Sequence, residues 1–487
     1  MSLSAALGIA QQSLLATARQ TQVVSRNVTD AANPDYTRRT AIVSSEAPGA
    51  RVVTIRRAAD EALFRANISS ISSYESQASL RLGIDQMAQA INGVDNASSA
   101  AKSMGALYEA LQIFATSPSN ATLAANTVEA ARQVVRSLND GTAAVSAQRT
   151  SADMEIQLAV GELNSLLGEF EQVNKEIISG TRANQDVNDQ LDRRDALLKR
   201  IAQYVPVSTF TRDNNDMVIT TTSGTMLFET VPRAVAFAPQ PGYPPGTVGN
   251  PVYVDGVPLP LGTGGNTDAS GKIAGLVQLR DSVAPAIQSQ LDELARGLIT
   301  AFAEVDRSGG GGPDLAGLFT WGGGPALPTG GTISTGIAGS IRLNAAVDPG
   351  AGGNPLLVRD GGINGAAYVA NPSGAGSYAD LLIEYTGRLD APIALDASAG
   401  LGSSASIMTA STSAIGWLAN LRQQSTYAME TKSALLTQTA EALSNQTGVN
   451  VDQEMSRMLE LEHSYGASAR VIKAVDEMLM TLLSLGN

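Results

Sequence analysis

The sequence predicts a multidomain protein with an α-rich core, in which long helices from both termini form a coiled-coil-like bundle and β-rich inserts occupy the middle of the chain. Three observations predict it. Apolar residues recur at alternating spacings of four and three at both ends, the same spacing returns in interior segments, and two mid-chain regions break that period.

At the N-terminal end Leu3, Leu7, Ala10, Leu14, Thr17, Thr21, Val24 and Val28 fall on one seam of a helix. That helix is expected to stop at Asn33-Pro34-Asp35-Tyr36, because proline fixes φ and disfavours helix at the residue before it. An extended arm is expected from Thr40 to Ile55. At the other end Met458 leads into Leu461, Tyr465, Ser468, Ile472, Val475, Leu479 and Leu482, and Val471, Met478 and Leu483 widen the stripe. A single helix in water leaves such a seam exposed. Ordering backbone costs roughly 1 to 2 kcal/mol per residue, and fully burying a leucine returns only about 1.5 to 3 kcal/mol. Both ends are therefore expected to be mobile in the free monomer and helical once paired with each other or with neighbouring subunits.

Between the ends, Ile156, Val160, Leu163, Leu167, Phe170, Asn174 and Ile177 form a further four-three series. Ile287, Leu291, Leu294 and Leu298 form another ahead of Phe302, and Leu421, Ala428, Leu435 and Ala442 recur every seven residues. From Val205 to Tyr253 the alternating runs Val207 to Phe210 and Met217 to Thr220 flank Asp213-Asn214-Asn215-Asp216, the composition of a β-hairpin with a polar turn. From Gly309 to Gly402 the chain is rich in Gly, Pro, Ala and Ser, with strand candidates at Ser340 to Leu343, Pro355 to Arg359 and Leu381 to Tyr385. The expected division is a terminal helical pair (1–36 with 450–487), a helical bundle with an extended arm (37–204, 270–308 and 403–449), a β-rich insert (205–269) and a Gly-rich β insert (309–402).

Composition excludes several function classes. A net charge of -13 over 487 residues argues against a phosphate-binding surface, so no nucleic-acid partner is expected. There is no Cys and one His, His463, which rules out thiolate chemistry and leaves nothing to complete a triad or a multi-His metal site. Gly271-Lys272 superficially resembles the end of a P-loop, but Asn266 stands where a Gly is required and Ile273 where a Ser or Thr would hold magnesium. No cofactor, metal or catalytic residue is expected, and the chain is read as a non-enzyme. No apolar run approaches a membrane span, and the first twenty residues lack the basic region and cleavage site of a signal peptide. Asp186, Asp189, Asp192 and Asp195 recur every three residues and read as a solvated helix face with Asp189–Arg193 and Asp195–Lys199 pairs. Arg38, Arg39, Arg51 and Arg56 near the arm could meet acidic neighbours, solvated charge being the blander reading.

Asn27-Val28-Thr29-Asp30-Ala31-Ala32-Asn33-Pro34-Asp35-Tyr36 resembles the Asn-Ile-Ala-Asn-x-x-Thr-Pro-Gly-Tyr signature near the start of flagellar rod, hook and hook-associated proteins. The frame is kept at Asn27, Pro34 and Tyr36, and it departs at Asp30, Asn33 and Asp35. The run from Gly448 to Leu483, with Tyr465-Gly466-Ala467-Ser468-Ala469-Arg470-Val471-Ile472, resembles the other end of that family. Asp189-Gln190-Leu191-Asp192-Arg193-Arg194-Asp195-Ala196-Leu197-Leu198 is similar to an internal helix of the hook-associated protein 1 family, and Leu276 to Asp281 to the start of another. The resemblance implies a structural subunit of the extracellular bacterial flagellum, exported through the type III channel without a cleaved signal peptide and polymerising as a layer between hook and filament. Its implied partners are copies of itself, hook protein, hook-associated protein 3 and an export chaperone at the C-terminal helix. The implied assembly residues are Leu3, Leu7, Leu14, Val24, Asn27, Val28, Pro34 and Tyr36 at one end, and Met458, Leu461, Tyr465, Ile472, Val475, Leu479 and Leu482 at the other. The alternative reading is an exported surface-binding protein whose Gly-rich insert recognises a glycan or protein, with the helices as a stalk.

Overall fold

The computed structural model describes residues 3–46, 49–261 and 270–485; the tip of the arm, the end of the first insert with Asn266, and the outermost terminal residues lie outside the described residues. Helix α1 (Leu3–Thr29) leads into a hairpin of β1 (Arg39–Glu46) and β2 (Gly49–Arg57), which realises the extended arm. Four helices follow: α2 (Glu61–Asn92), α3 (Ala100–Thr116), α4 (Ala121–Arg182) and α5 (Asn188–Tyr204). Their starts are set by capping side chains. Asp60 accepts from Ala62 and Leu63, Ser99 from Lys102, and Asn120 from Thr122 and Leu123. A small sheet in the order β3 (Val207–Thr211), β4 (Met217–Thr221), β5 (Met226–Phe228) comes next, with a second one of β6 (Val235–Ala236), β7 (Tyr253–Val254) and β8 (Val257–Pro258). The β3–β4 hairpin pairs Val207 with Thr221 through Thr211 with Met217. Its turn places Asn214 and Asn215 at φ 59° and 60°, a left-handed conformation that asparagine tolerates.

Helix α6 (Lys272–Gln278) continues through a π turn, Leu279–Val283, into α7 (Ala284–Ala301). The Gly-rich region holds two two-residue strands that pair, β9 (Phe319–Thr320) with β10 (Arg342–Leu343), and helices α8 (Ile337–Ser340), α9 (Leu357–Asp360) and α10 (Asp380–Asp390). It closes on β11 (Ile393–Ala394) and β12 (Ser404–Ala405), before α11 (Ile407–Thr447) and α12 (Val451–Leu485) complete the chain.

Helix α4 is the spine. Its 62 residues correspond to about 93 Å of helix. Its first half contributes Val128, Val134 and Leu138 to one core with α2, α3, α7 and α10. Its second half contributes every apolar residue of the 156–177 series to a second core, closed by Leu198 and Ile201 of α5 and by Ile219 and Phe228 of the first sheet, with Asn174 of the series buried beside it. At the boundary Arg280 of the π turn reaches the buried Asp153 of α4 at 2.5 Å, and Arg149 donates to the Arg280 carbonyl at 2.8 Å. A third, small core joins Ala16 and Val23 of α1 to Ala41 and Val52 of the hairpin.

Two strand expectations are corrected. Leu381 to Tyr385 lies in α10, where Leu381, Leu382, Tyr385 and Leu389 share a helical face, and Pro355 to Arg359 runs into α9. Short apolar runs carry no period long enough to separate strand from helix. Nor does the Gly-rich region stand apart: Phe319, Ile341, Leu382, Tyr385 and Leu401 sit in the first core, with Phe302 of the segment after α7 4.8 Å from Tyr385 and 5.1 Å from Phe319 between ring centroids. A ligand-binding head on a stalk therefore finds no support here. The heptad series of α11 packs along α2 but stays partly exposed, Leu435 included.

Candidate assembly site

Helices α1 and α12 pair antiparallel. The hydroxyls of Ser13 and Ser468 lie 3.1 Å apart, and Asn27 donates to Glu454 at 2.9 Å, a register that sets Leu3 opposite Met478. On α12 the buried residues Leu461, Ser468 and Val475 recur every seven and face α1. On α1, Ala10, Ala16, Thr17, Val23, Val24 and Asn27 are buried, while Leu3, Leu7, Leu14 and Val28 are half-buried, as are Met458 and Ile472 opposite. Tyr465, Leu479 and Leu482 are exposed. Two helices cover only one flank of a wide stripe, and the last turns of α12 run past Leu3. The result is an uncovered apolar surface from Met478 through Leu479, Met480, Leu482 and Leu483, of which Leu483 is 69% exposed.

The other end of the pair is a polar corner built on Asn27, which is fully buried. Its Oδ1 accepts from the Tyr36 hydroxyl at 2.8 Å and from the Arg39 amide at 3.0 Å; its Nδ2 donates to the Arg39 carbonyl and to Glu454, both at 2.9 Å. Every hydrogen-bonding valence of the amide is used. One side chain thus ties the end of α1, the turn, the start of β1 and the first turn of α12. Helix α1 ends at Thr29, ahead of the expected stop, and the turn is carried by Asn33 accepting from Tyr36 at 3.1 Å, with Pro34 exposed within it. Burial pushes the Tyr36 phenol up to about 12, and the Arg39 guanidinium lies 4.9 Å from its ring centroid.

Asp186 lies exposed ahead of α5, but the three aspartates of the series on α5, Asp189, Asp192 and Asp195, face arginines. Arg39, itself buried, bonds Asp189 and reaches Asp192 at 3.1 Å; Arg57 reaches Asp192 at 3.2 Å and Asp195 at 2.6 Å; Arg26 reaches Asp189 at 2.7 Å. Thr37 Oγ1 donates to Asp192 at 2.6 Å, and Asn188 donates to the Ile55 carbonyl at 3.0 Å. Neither expected pair within α5 forms among the described residues; Lys199 instead meets Asp35 at 3.0 Å. Three-residue spacing does put the aspartates on one face. That face receives the arm. Burial opposes the charge on Asp189, but hydrogen bonds from Arg39 and Arg26 outweigh it and hold its carboxyl below the usual range. Of the four arginines singled out in the sequence, only Arg39 meets acids among the described residues, and those belong to its own chain; Arg51 and Arg56 are exposed. Arg26 and Arg57 were missed, and their positions at the end of α1 and of the arm were the available signal.

His463 is exposed on α12. Among the described residues no group of three His, Cys, Asp or Glu is placed to hold a metal ion, and no helix is long and apolar enough to cross a membrane.

Residues 84–317 match the family model of the flagellar hook-associated protein FlgK helical domain, and residues 442–485 that of the flagellar basal body rod FlgEFG protein C-terminal region. Among solved structures the chain is similar to the flagellar hook junction protein FlgK from Burkholderia pseudomallei, at 18% identity and a TM-score of 0.42, over 53% of this chain and 47% of that one. The match thus spans about half the length of that protein. No curated protein matches the sequence. The two family matches cover α3 to α7 with the spine, part of the first core and nearly all of the second, and the helix that pairs with α1, and on them the chain belongs to the hook-associated FlgK family of flagellar axial proteins.

Proposed function

We propose that the chain is a non-enzymatic structural subunit of the bacterial flagellum that forms the junction between hook and filament. The terminal helical pair, 1–36 with 450–487, is the inner assembly unit, and the rest of the chain lies outside it. The observation that carries this reading is the uncovered apolar end of α12 beside a pairing already satisfied by α1. Burying a leucine returns about 1.5 to 3 kcal/mol, so four or five such side chains per subunit supply a substantial drive for packing against neighbouring terminal helices. The neighbours are further copies in the same layer, hook protein on one side and hook-associated protein 3 on the other. An export chaperone covers the same end of α12 before transit through the type III channel. Both terminal helices are conditional: they loosen in the dilute monomer and are fixed in the layer.

The test is genetic and structural together. Cells lacking the chain should carry hooks without filaments, and the doubly substituted Leu482→Asp, Leu483→Asp chain should fold, be made in normal amount and fail to hold filaments. Filaments attached as usual in either strain would overturn the reading.

A further inference from the structure

Six arginines are buried among the described residues, and five of them are ion-paired: Arg39 with Asp189 and Asp192, Arg149 with Asp281, Arg280 with Asp153, Arg296 with Glu293, and Arg359 with Asp360. Arg194 is the exception. It is 3% exposed, and no carboxylate among the described residues comes within ion-pair distance of it. Its Nη1 donates to the neutral Asn174 Oδ1 at 3.2 Å and to the Asn215 carbonyl at 2.5 Å, and its Nε is buried with no partner. The nearby carboxylates are engaged elsewhere, Asp195 by Arg57 and Asp216 by Asn174. Burial pushes the guanidinium down to about 10, opposed by those two acids. A buried charge without a counter-ion is costly wherever it occurs.

Arg194 is not sealed in the interior. It lines a cleft of about 790 Å³, walled by the 31–37 turn, the start of α2, α5, the β3–β4 hairpin and the corner between α11 and α12. Arg65 stands on its rim, exposed and without an acidic partner among the described residues. Phe64, Leu191 and Phe210 give it apolar walls. Strand β3 is the edge of its sheet, and its residues 209–211 line the cleft. Its outer backbone groups make no backbone hydrogen bond among the described residues, and it carries none of the lysines or prolines that blunt an edge. An unpaired edge, an uncompensated buried guanidinium and apolar walls together describe a seat for an extended segment with an acidic side chain.

We infer that this cleft receives an acidic extended segment of a second copy of the chain, its carboxylate on Arg194 and Arg65 and its backbone along β3. The occupant follows from charge and position. The chain carries a net charge of -13, so a neighbouring copy offers carboxylates in excess, and the cleft adjoins the terminal pair through the 31–37 turn and the α11–α12 corner. The inference rests on the assembly reading above for the presence of neighbouring copies.

The test places a photoreactive benzoylphenylalanine at Phe210 of the full chain in flagellated cells. Irradiation should give a cross-linked dimer of this chain, its yield falling about tenfold or more on Arg194→Gln and on Arg65→Glu, and holding with the exposed control Lys175→Glu. Because Arg194 contacts the sheet, Arg65→Glu decides the matter if the other variant fails to fold by circular dichroism. No cross-link, a cross-link to a different protein, or a dimer indifferent to Arg65→Glu would overturn the inference. Absence of the dimer from the Phe210-labelled chain with Arg194 and Arg65 intact, filaments still being attached, counts against the cleft alone. Filaments still attached in the Leu482→Asp, Leu483→Asp strain count against the assembly reading instead.

Discussion

Replacing Asn27 by alanine should unfasten one corner of the molecule and leave the rest standing. The substitution removes the partners of the Tyr36 hydroxyl, the Arg39 amide, the Arg39 carbonyl and the Glu454 carboxylate. Three neutral hydrogen bonds at about 0.5 to 1.5 kcal/mol each and one to a charged group at about 1.5 to 3 kcal/mol bound the loss, and water entering the corner recovers part of it. A net cost of about 3 to 5 kcal/mol corresponds to an opening equilibrium raised roughly 10² to 4 × 10³-fold. The loss should stay local, because α1 and the hairpin share a small core separate from the two larger ones. Amide exchange followed by mass spectrometry should show that acceleration across residues 16–29 and 39–57, with residues 156–177 unchanged. Exchange within tenfold of wild type across the first two segments would refute the assignment of Asn27 as the fastening point. Asn27→Asp adds a sharper version: it keeps the acceptor but sets a carboxylate against Glu454, so the opening should be larger at pH 7 than at pH 4.

Further outcomes follow from the same geometry. Asp192→Ala should destabilise the docking of the arm by about 3 to 5 kcal/mol, since it leaves Arg39 and Arg57 short of a counter-ion, and exchange of residues 39–57 reads it out. Asp189 has a folded-state pKa below its ordinary value, so its contribution is present above the ordinary carboxylate range and lost as pH falls through the lowered value; the melting difference between wild type and Asp189→Asn should shrink progressively as the solution is acidified through that lowered value. Asp153→Ala should lower the whole-molecule denaturation midpoint by an amount matching about 1.5 to 3 kcal/mol, because it leaves the buried Arg280 between the two large cores with Asp281 as its one remaining counter-ion among the described residues. Leu482→Asp should change monomer stability by less than about 0.5 kcal/mol in the same titration.

The helical skeleton was legible where the period was long. The 156–177 series and the pairing of the two ends could be read from spacing alone, and the polar run Asp213 to Asp216 announced the β3–β4 turn. What spacing does not encode is the identity of the surface opposite. Asp189, Asp192 and Asp195 form the same pattern whether they face water or arginines, and only the fold brings Arg39 and Arg57 to them. Likewise Leu461 and Leu479 belong to one stripe in sequence, yet Leu461 is buried and Leu479 is exposed. Arg194 was hidden for the converse reason. With Asp192 and Asp195 beside it in the sequence it reads as neutralised, and only the structure turns both carboxylates towards other arginines.

The long helix α4 has a mechanical consequence. A strut that belongs to two cores offers no plane along which they can slide: to rotate one against the other, the strut itself must twist or its backbone hydrogen bonds must break. A load entering at the first core is therefore delivered to the second as rigid rotation. Compliance is concentrated where the chain narrows to the Asn27 corner and the arginine–aspartate clasp. A chain built this way behaves as a stiff bar on a soft pivot, so an applied stress is taken up by changing the angle at the pivot, with the length of the bar unaltered.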